Sequence, residues 1–104
     1  MNDYVEDIKK YSSSVNEAAV TTIVKYCGIA LKSKDASLVS SSDPSELKTV
    51  ADGFAKKKLG LSTDDANAGI EKVCDVLKGV RHKHRVTFYY LLAEHTGTMD
   101  ALSS

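Results

Sequence analysis

The chain has 104 residues, 14 Lys+Arg balanced by 14 Asp+Glu, and 42% hydrophobic residues. This length predicts a single domain, residues 1–104, that can fold without a disulfide or a metal. The composition excludes a disordered chain and a strongly basic, histone-like binder. No apolar run approaches the roughly 20 residues that a membrane-spanning helix needs. Acidic residues near the N-terminus replace the positive charge of a signal peptide, so we expect a cytoplasmic protein with no membrane partner.

The first part of the chain predicts two helices separated by serines. Residues 3–11 form the first, with three residues at helical spacing on one face: Tyr4, Ile8 and Tyr11. Ser14 and Glu17 have the spacing of a capping box, so we expect Ser14 to cap a second helix over about 16–32. Its apolar stripe comprises Val20, Ile23, Val24, Cys27 and Leu31.

A serine-rich link over 33–42, with one short turn expected at 36–39, precedes the clearest helix start in the chain. Asp43 is suited to cap this third helix, and Pro44 suits its first position, where a missing N–H has no partner. Glu46 is expected to reach back toward the same helix start. The apolar face of the helix comprises Leu47, Val50, Ala51, Phe54 and Ala55.

The second half predicts two more helices. The third helix should end in Lys56–Lys58 before Gly60, and a fourth should run over about 63–79. The run of β-branched and aromatic residues at 86–92 could be a strand, but it has no second strand to pair with. We therefore predict a fifth, buried helix over about 84–96, with 98–104 frayed.

Cys27 and Cys74 are isolated from each other and from histidines, and each lies among apolar residues at helical spacing. Free cysteine in such surroundings behaves as a small hydrophobic residue. We predict two buried, reduced thiols without a redox or ligand role.

No local motif indicates an enzyme site, whereas spacing leaves open a nucleophilic triad, whose members meet only in the fold. There is no phosphate-binding glycine loop and no nucleophile motif. His82 and His84 are two residues apart, which places them on different helix faces, and His95 has no ligand partner at helical spacing. We predict a non-enzymatic protein with no metal and no cofactor. A concave pocket holding His95 or a cysteine beside a carboxylate would reopen the enzyme hypothesis.

Two basic clusters are the candidate binding residues. One is a pentad of Arg81, His82, Lys83, His84 and Arg85, and the other is Lys56, Lys57 and Lys58. At the start of a helix such cations are opposed by the helix dipole, a cost that binding to an anion would explain. The alternative is a solvated loop paired with nearby acids.

The adjacent Tyr89 and Tyr90 are further candidates, because they point about 100° apart on a helix. At least one of the two can then reach a second surface, where tyrosine is favoured in interfaces. The alternative is that all five tyrosines lie at the edge of the core.

Several stretches together resemble a family of small bacterial proteins catalogued only as a domain of unknown function. The most specific are Lys57-Lys58-Leu59-Gly60-Leu61 and Arg85-Val86-Thr87-Phe88-Tyr89-Tyr90-Leu91, and the resemblance covers nearly the whole chain. It implies a bacterial source and an all-helical single domain. It supplies no activity, so no site residues are transferred from it.

We expect an all-α domain of about five helices, packed as two hairpins around residues 86–93. The leading hypothesis is a non-enzymatic interaction module that self-associates or docks a protein partner, using exposed tyrosines and the pentad. The alternative is an accessory nucleic-acid or anion-binding protein that uses Lys56–Lys58 together with Arg81–Arg85. The alternative requires that the two clusters share a face and that the arginines are not paired with buried acids.

Overall fold

The fold is all-α, as predicted. The computed structural model describes residues 2–12, 15–28, 38–39, 43–80 and 83–103. These ranges contain no β-strand, only an isolated bridge between Leu38 and His84. The elements in chain order are α1 (Asn2–Lys9), α2 (Glu17–Cys27), α3 (Pro44–Val50), a π-helix (Ala51–Lys58), α4 (Thr63–Val76), α5 (Arg85–Thr96) and α6 (Asp100–Ser103).

Helix α5 is the centre of the core, and the prediction of a buried helix there is confirmed. Every residue from Val86 to Ala93 is buried, and α1, α2 and α4 all pack against the helix. Between Val86 and Ala93 the helix has no solvent face, which explains why this stretch of sequence is a continuous run of mostly apolar residues. Gly97 ends the helix with φ 70, a left-handed conformation that glycine adopts without strain.

Helix α2 begins later than the capping-box spacing indicated. Asn16 is its N-cap, and Asn16 Oδ1 accepts a hydrogen bond from Ala19 N at 3.1 Å. Ser14, the predicted cap, lies outside the described residues. The helix ends at Cys27, where Gly28 has φ 45. The predicted extension to residue 32 and most of the serine-rich link also lie outside the described residues.

The predicted start of α3 is confirmed in part. Asp43 Oδ1 accepts a hydrogen bond from Ser45 N at 2.9 Å, and Pro44 is the first helical residue. The expectation for Glu46 is wrong, because its carboxylate binds Arg85 of α5 instead. An ion pair with a half-buried arginine is stronger than a hydrogen bond at an exposed helix start.

The second part of the predicted third helix is a π-helix rather than a continuation of α3. Leu59 N donates to Phe54 O, five residues back, at 3.1 Å. The wider turn keeps Phe54 and Leu59 buried together. The Phe54 ring then stacks on Tyr89, with centroids 4.1 Å apart and an interplanar angle of 14°.

The end of the chain is more ordered than expected. We predicted fraying over 98–104, but 100–103 form α6, which packs against α2, and Leu102 is only 2% exposed. Leu102 O also accepts a hydrogen bond from Thr22 Oγ1 at 2.6 Å. Burial of one leucine and this bond offset the entropy that ordering the segment costs.

Candidate interaction surface

Arg85, the last residue of the pentad, points into the molecule. Its Nη2 lies 2.5 Å from Glu46 Oε1, its Nη1 donates to Tyr89 Oη at 3.0 Å, and its side chain is 12% exposed. Burial lowers the pKa of Arg85, but the hydrogen bonds to Tyr89 and Glu46 outweigh this, so its pKa is raised. The guanidinium therefore stays charged and serves as a structural link between α5 and α3.

The other described residues of the pentad, Lys83 and His84, also make contacts within the protein. Lys83 Nζ donates to Val80 O at 2.7 Å, and the His84 ring makes an edge contact with Tyr4 at 6.1 Å between centroids. Both side chains are half-buried. Arg81 and His82 lie outside the described residues. The described residues of the pentad thus have internal contacts, and the Arg85–Glu46 pair favours the alternative that the pentad is paired with nearby acids.

Tyr89 and Tyr90 are both buried, so the prediction that one of them reaches a second surface is wrong. Tyr89 Oη accepts from Arg85, and Tyr90 Oη accepts a hydrogen bond from Asn16 N at 2.8 Å. The cause of the error is that other helices cover α5 on several sides. Two side chains that point about 100° apart on this helix are therefore both buried. Burial is also the main cause that raises the pKa of Tyr89.

The second basic cluster is more accessible. Lys56 and Lys57 are exposed at the end of the π-helix, and Lys58 is half-buried. Cations here are stabilised by the negative end of the helix dipole. Two of the three lysines are therefore available to bind an anionic group without losing an internal partner.

Two shallow depressions flank α3 and the π-helix. One of about 440 Å³ is lined by Ser45, Lys48, Thr49, Asp52, Gly53 and Lys57. The other, of about 420 Å³, lies on the opposite side against α4, where Thr63 and Asn67 line it. Lys48 and Asp52 line both depressions, so these two residues form the ridge between them.

Tyr26 lies beside the first depression, and its side chain is unusually exposed for a large hydrophobic residue, at 44%. Its ring makes edge contacts with Phe54 at 5.2 Å and with Tyr89 at 6.4 Å between centroids. Its hydroxyl would lie 3.9 Å from a Cβ atom at Gly53, a residue of the depression. We call this surface, formed by Tyr26, Lys48, Gly53 and Lys57, the Tyr26 face.

The Tyr26 face was missed at the level of sequence. Tyr26 lies at the edge of the α2 stripe, three residues after Ile23 and one before Cys27, which is typical of a partly exposed position. That signal identifies the exposure. It does not reveal that the ring leans on Phe54, because the contact depends on how the π-helix packs.

The cysteines have no reactive surroundings. Cys27 is buried, and burial raises the pKa of its thiol to about 11, although nearby Arg85 opposes the shift. The pKa of the half-buried Cys74 is also raised, mainly by burial. Both thiols are free. Each stays protonated near neutral pH, so neither is an activated nucleophile there.

A cleft of about 250 Å³ between α4 and α5 brings Asp65, Lys72 and His95 together. A histidine beside a carboxylate in a concave pocket is the arrangement that would reopen the enzyme hypothesis. An enzyme site would also need a partner that orients the histidine. In the described part of the chain, no carboxylate hydrogen-bonds to His95 and orients it as a general base. No group of three or more potential metal ligands occurs in the described ranges.

A family model described as "Protein of unknown function (DUF2853)" matches residues 3–100. The chain belongs to this family. The match includes all of α3, the π-helix, α4 and α5, so the Tyr26 face lies within the family domain. A search of curated proteins gives no match. Among the described residues of this family member, no helix has the length and hydropathy to cross a membrane.

Proposed function

We propose that the protein is a non-enzymatic interaction module that docks a protein partner on the Tyr26 face. The observation that supports this proposal is the exposed Tyr26 ring, which rests on Phe54 and Tyr89 beside an open depression. A partner that covers the exposed part of this ring would gain apolar contact with a side chain whose conformation Phe54 and Tyr89 already restrict.

Tyrosine is among the residues that dominate the free energy of protein–protein binding. Its ring contributes a large contact area, and its hydroxyl can remain hydrogen-bonded at the rim. Because Phe54 and Tyr89 limit the movement of the Tyr26 ring, less side-chain entropy is lost on binding. An exposed but constrained aromatic side chain is what a docking site requires.

The alternative, nucleic-acid or anion binding, rests on the exposed Lys56 and Lys57. It is weakened by Arg85, whose charge is paired with Glu46. It is weakened further by the absence of a net positive charge on the chain. Self-association through the Tyr26 face is a second alternative, since an exposed aromatic side chain can also pack against a second copy.

We also propose that the protein acts in the cytoplasm of a bacterium. The bacterial source rests on the sequence resemblance described above. The two free thiols fit a reducing compartment, since disulfides are rare in the cytosol.

The test is affinity capture from lysate of the source cells with wild-type protein and matched variants. Tyr26→Ser removes the ring, Tyr26→Phe keeps it, and Val76→Ser alters the other large hydrophobic residue that is exposed among the described ones, on α4. Each variant is first checked for folding by circular dichroism, and each capture is repeated with nuclease.

We expect one set of proteins to be captured by wild type, Tyr26→Phe and Val76→Ser, and to be lost with Tyr26→Ser. Equal capture by folded Tyr26→Ser would contradict the proposal. Material that disappears with nuclease would favour the nucleic-acid alternative. Recovery of the protein alone, with a dimer in sedimentation that Tyr26→Ser abolishes, would favour self-association.

A further inference from the structure

We infer that the Tyr26 face binds an acidic segment of its partner in an extended conformation. This inference rests on the proposed function and specifies the chemistry of the partner. It follows from the charges around the first depression, from their spacing, and from the carboxylate that lies between them.

Lysines line the Tyr26 face. Lys48 and Lys57 line its depression, and the residues that precede Tyr26 and Lys57 in the sequence, Lys25 and Lys56, are exposed as well. Asp52 is the one carboxylate among the residues that line this depression. Ion pairs between described residues involve none of these four lysines. Their charges are therefore available to carboxylates of a partner.

The spacing of the two lining lysines fits an extended chain. Nine positions separate Lys48 from Lys57, which is roughly 10–13 Å along a helix axis. An extended segment covers that distance in about three or four residues. Two acidic residues with a short uncharged spacer can therefore bind both lysines at once, with the spacer over Asp52.

Asp52 favours an acidic peptide over a nucleic acid. Phosphates follow one another along a nucleic-acid strand, so a strand that crosses this face brings negative charge against the Asp52 carboxylate. A peptide can place a neutral residue there. The hydroxyls of Ser45 and Thr49 in the same depression can in addition hydrogen-bond to an extended backbone.

The experiment selects short random peptides, displayed on phage, on the immobilised full chain at low salt. Selection is run in parallel on the double variant Lys48→Glu, Lys57→Glu. The matched control is Lys72→Glu, Lys78→Glu, which makes the same charge change at two exposed lysines of α4 and the turn after it. Binding of selected peptides is then measured by fluorescence anisotropy, beside a single-stranded oligonucleotide.

We expect the selected peptides to be enriched in Asp and Glu with a short spacer. Their affinity should fall by about tenfold or more in the Lys48/Lys57 variant, change little in the control, and decrease with salt. Selection of neutral or basic peptides, or equal affinity for the two double variants, would overturn the inference. Oligonucleotide binding that is lost only in the Lys48/Lys57 variant would assign the face to nucleic acid instead.

The two proposals can fail separately. If capture from lysate depends on Tyr26 but no acidic peptides are enriched, the inference of an acidic partner segment is wrong. The proposal that the protein is a docking module is then unaffected. If capture does not depend on Tyr26, the docking module is wrong, and acidic peptides that still require Lys48 and Lys57 would then define an anion site alone.

Discussion

Gly69 of α4 packs so closely against Thr96 of α5 that a Cβ atom at position 69 would lie 2.5 Å from Thr96 Cγ2. It would also lie 2.8 Å from Cδ1 of the fully buried Leu92. Among the described helices α4 and α5 form the most extensive pair, and the absence of one methyl group allows their close approach.

Gly69→Ala should therefore destabilise the fold by about 1–3 kcal/mol, because the added methyl overpacks the α4–α5 contact. Urea denaturation measures the change. Thr96→Ser in the same chain should recover part of the loss by removing the contacting methyl. Gly53→Ala is the control: its nearest contact would be Tyr26 Oη at 3.9 Å, so it should be neutral or stabilising. An equal loss from both glycine substitutions would contradict the packing argument.

The Arg85–Glu46 pair should act as one unit. Arg85→Met leaves Glu46 without its cation, and Glu46→Gln leaves a mostly buried guanidinium with a weaker partner. Each single change should cost about 2–3 kcal/mol, somewhat less than in a fully buried pair. The double variant should cost clearly less than the sum of the two. Additive losses in a double-mutant cycle would show that the two side chains stabilise the fold independently.

Tyr90→Phe tests the link between α5 and the start of α2. The substitution keeps the buried ring but removes the acceptor for Asn16 N. A partly buried N–H without a partner costs about 1–2 kcal/mol. Thermal unfolding should show a lower Tm for Tyr90→Phe, whereas Tyr11→Phe, at a half-buried site, should change it little. No difference between the two variants would mean that water replaces the lost acceptor.

The buried thiol of Cys27 predicts a loss of stability in alkaline solution. Its pKa is about 11 in the folded protein, against an ordinary value of 9.0, because burial disfavours the thiolate. Between these values the unfolded chain releases a proton that the folded chain retains, so stability falls as pH rises through this window and is unaffected below it. The full effect is about 2–3 kcal/mol.

Unfolding free energies measured across this pH range should therefore decline more steeply for wild type than for Cys27→Ala. The comparison of slopes cancels every contribution that the two proteins share. Parallel pH profiles would show that the Cys27 thiol ionises equally well in the folded state.

The sequence predicted those elements whose cause is local. The Asp43-Pro44 helix start, the glycine at the end of α5 and the apolar run of α5 each follow from residues within one or two turns. The π-helix could not be predicted, since its hydrogen-bond register depends on Phe54 stacking against a distant helix. α6 was missed for a similar reason, because Leu102 is buried only once α2 lies beside it.

The same distinction between local and distant causes applies to the site residues. Exposure of Lys56 and Lys57 follows from their position at a helix end, and the sequence identified them. The pentad was misjudged at Arg85 because its partner, Glu46, is 39 positions away in the chain. A basic residue at a helix start has the same local pattern whether it binds a ligand or an internal carboxylate.

The central position of α5 has a consequence for how the domain is made. Its partners α1, α2 and α4 all precede it in the sequence, and the parts of their apolar faces that pack on α5 are covered only when residues 85–96 are in place. On the ribosome these helices emerge first and stay without their common partner until the segment after residue 85 has left the exit tunnel. The core therefore closes only after residue 96 has emerged, and until then the apolar surface that packs on α5 is open to chaperones.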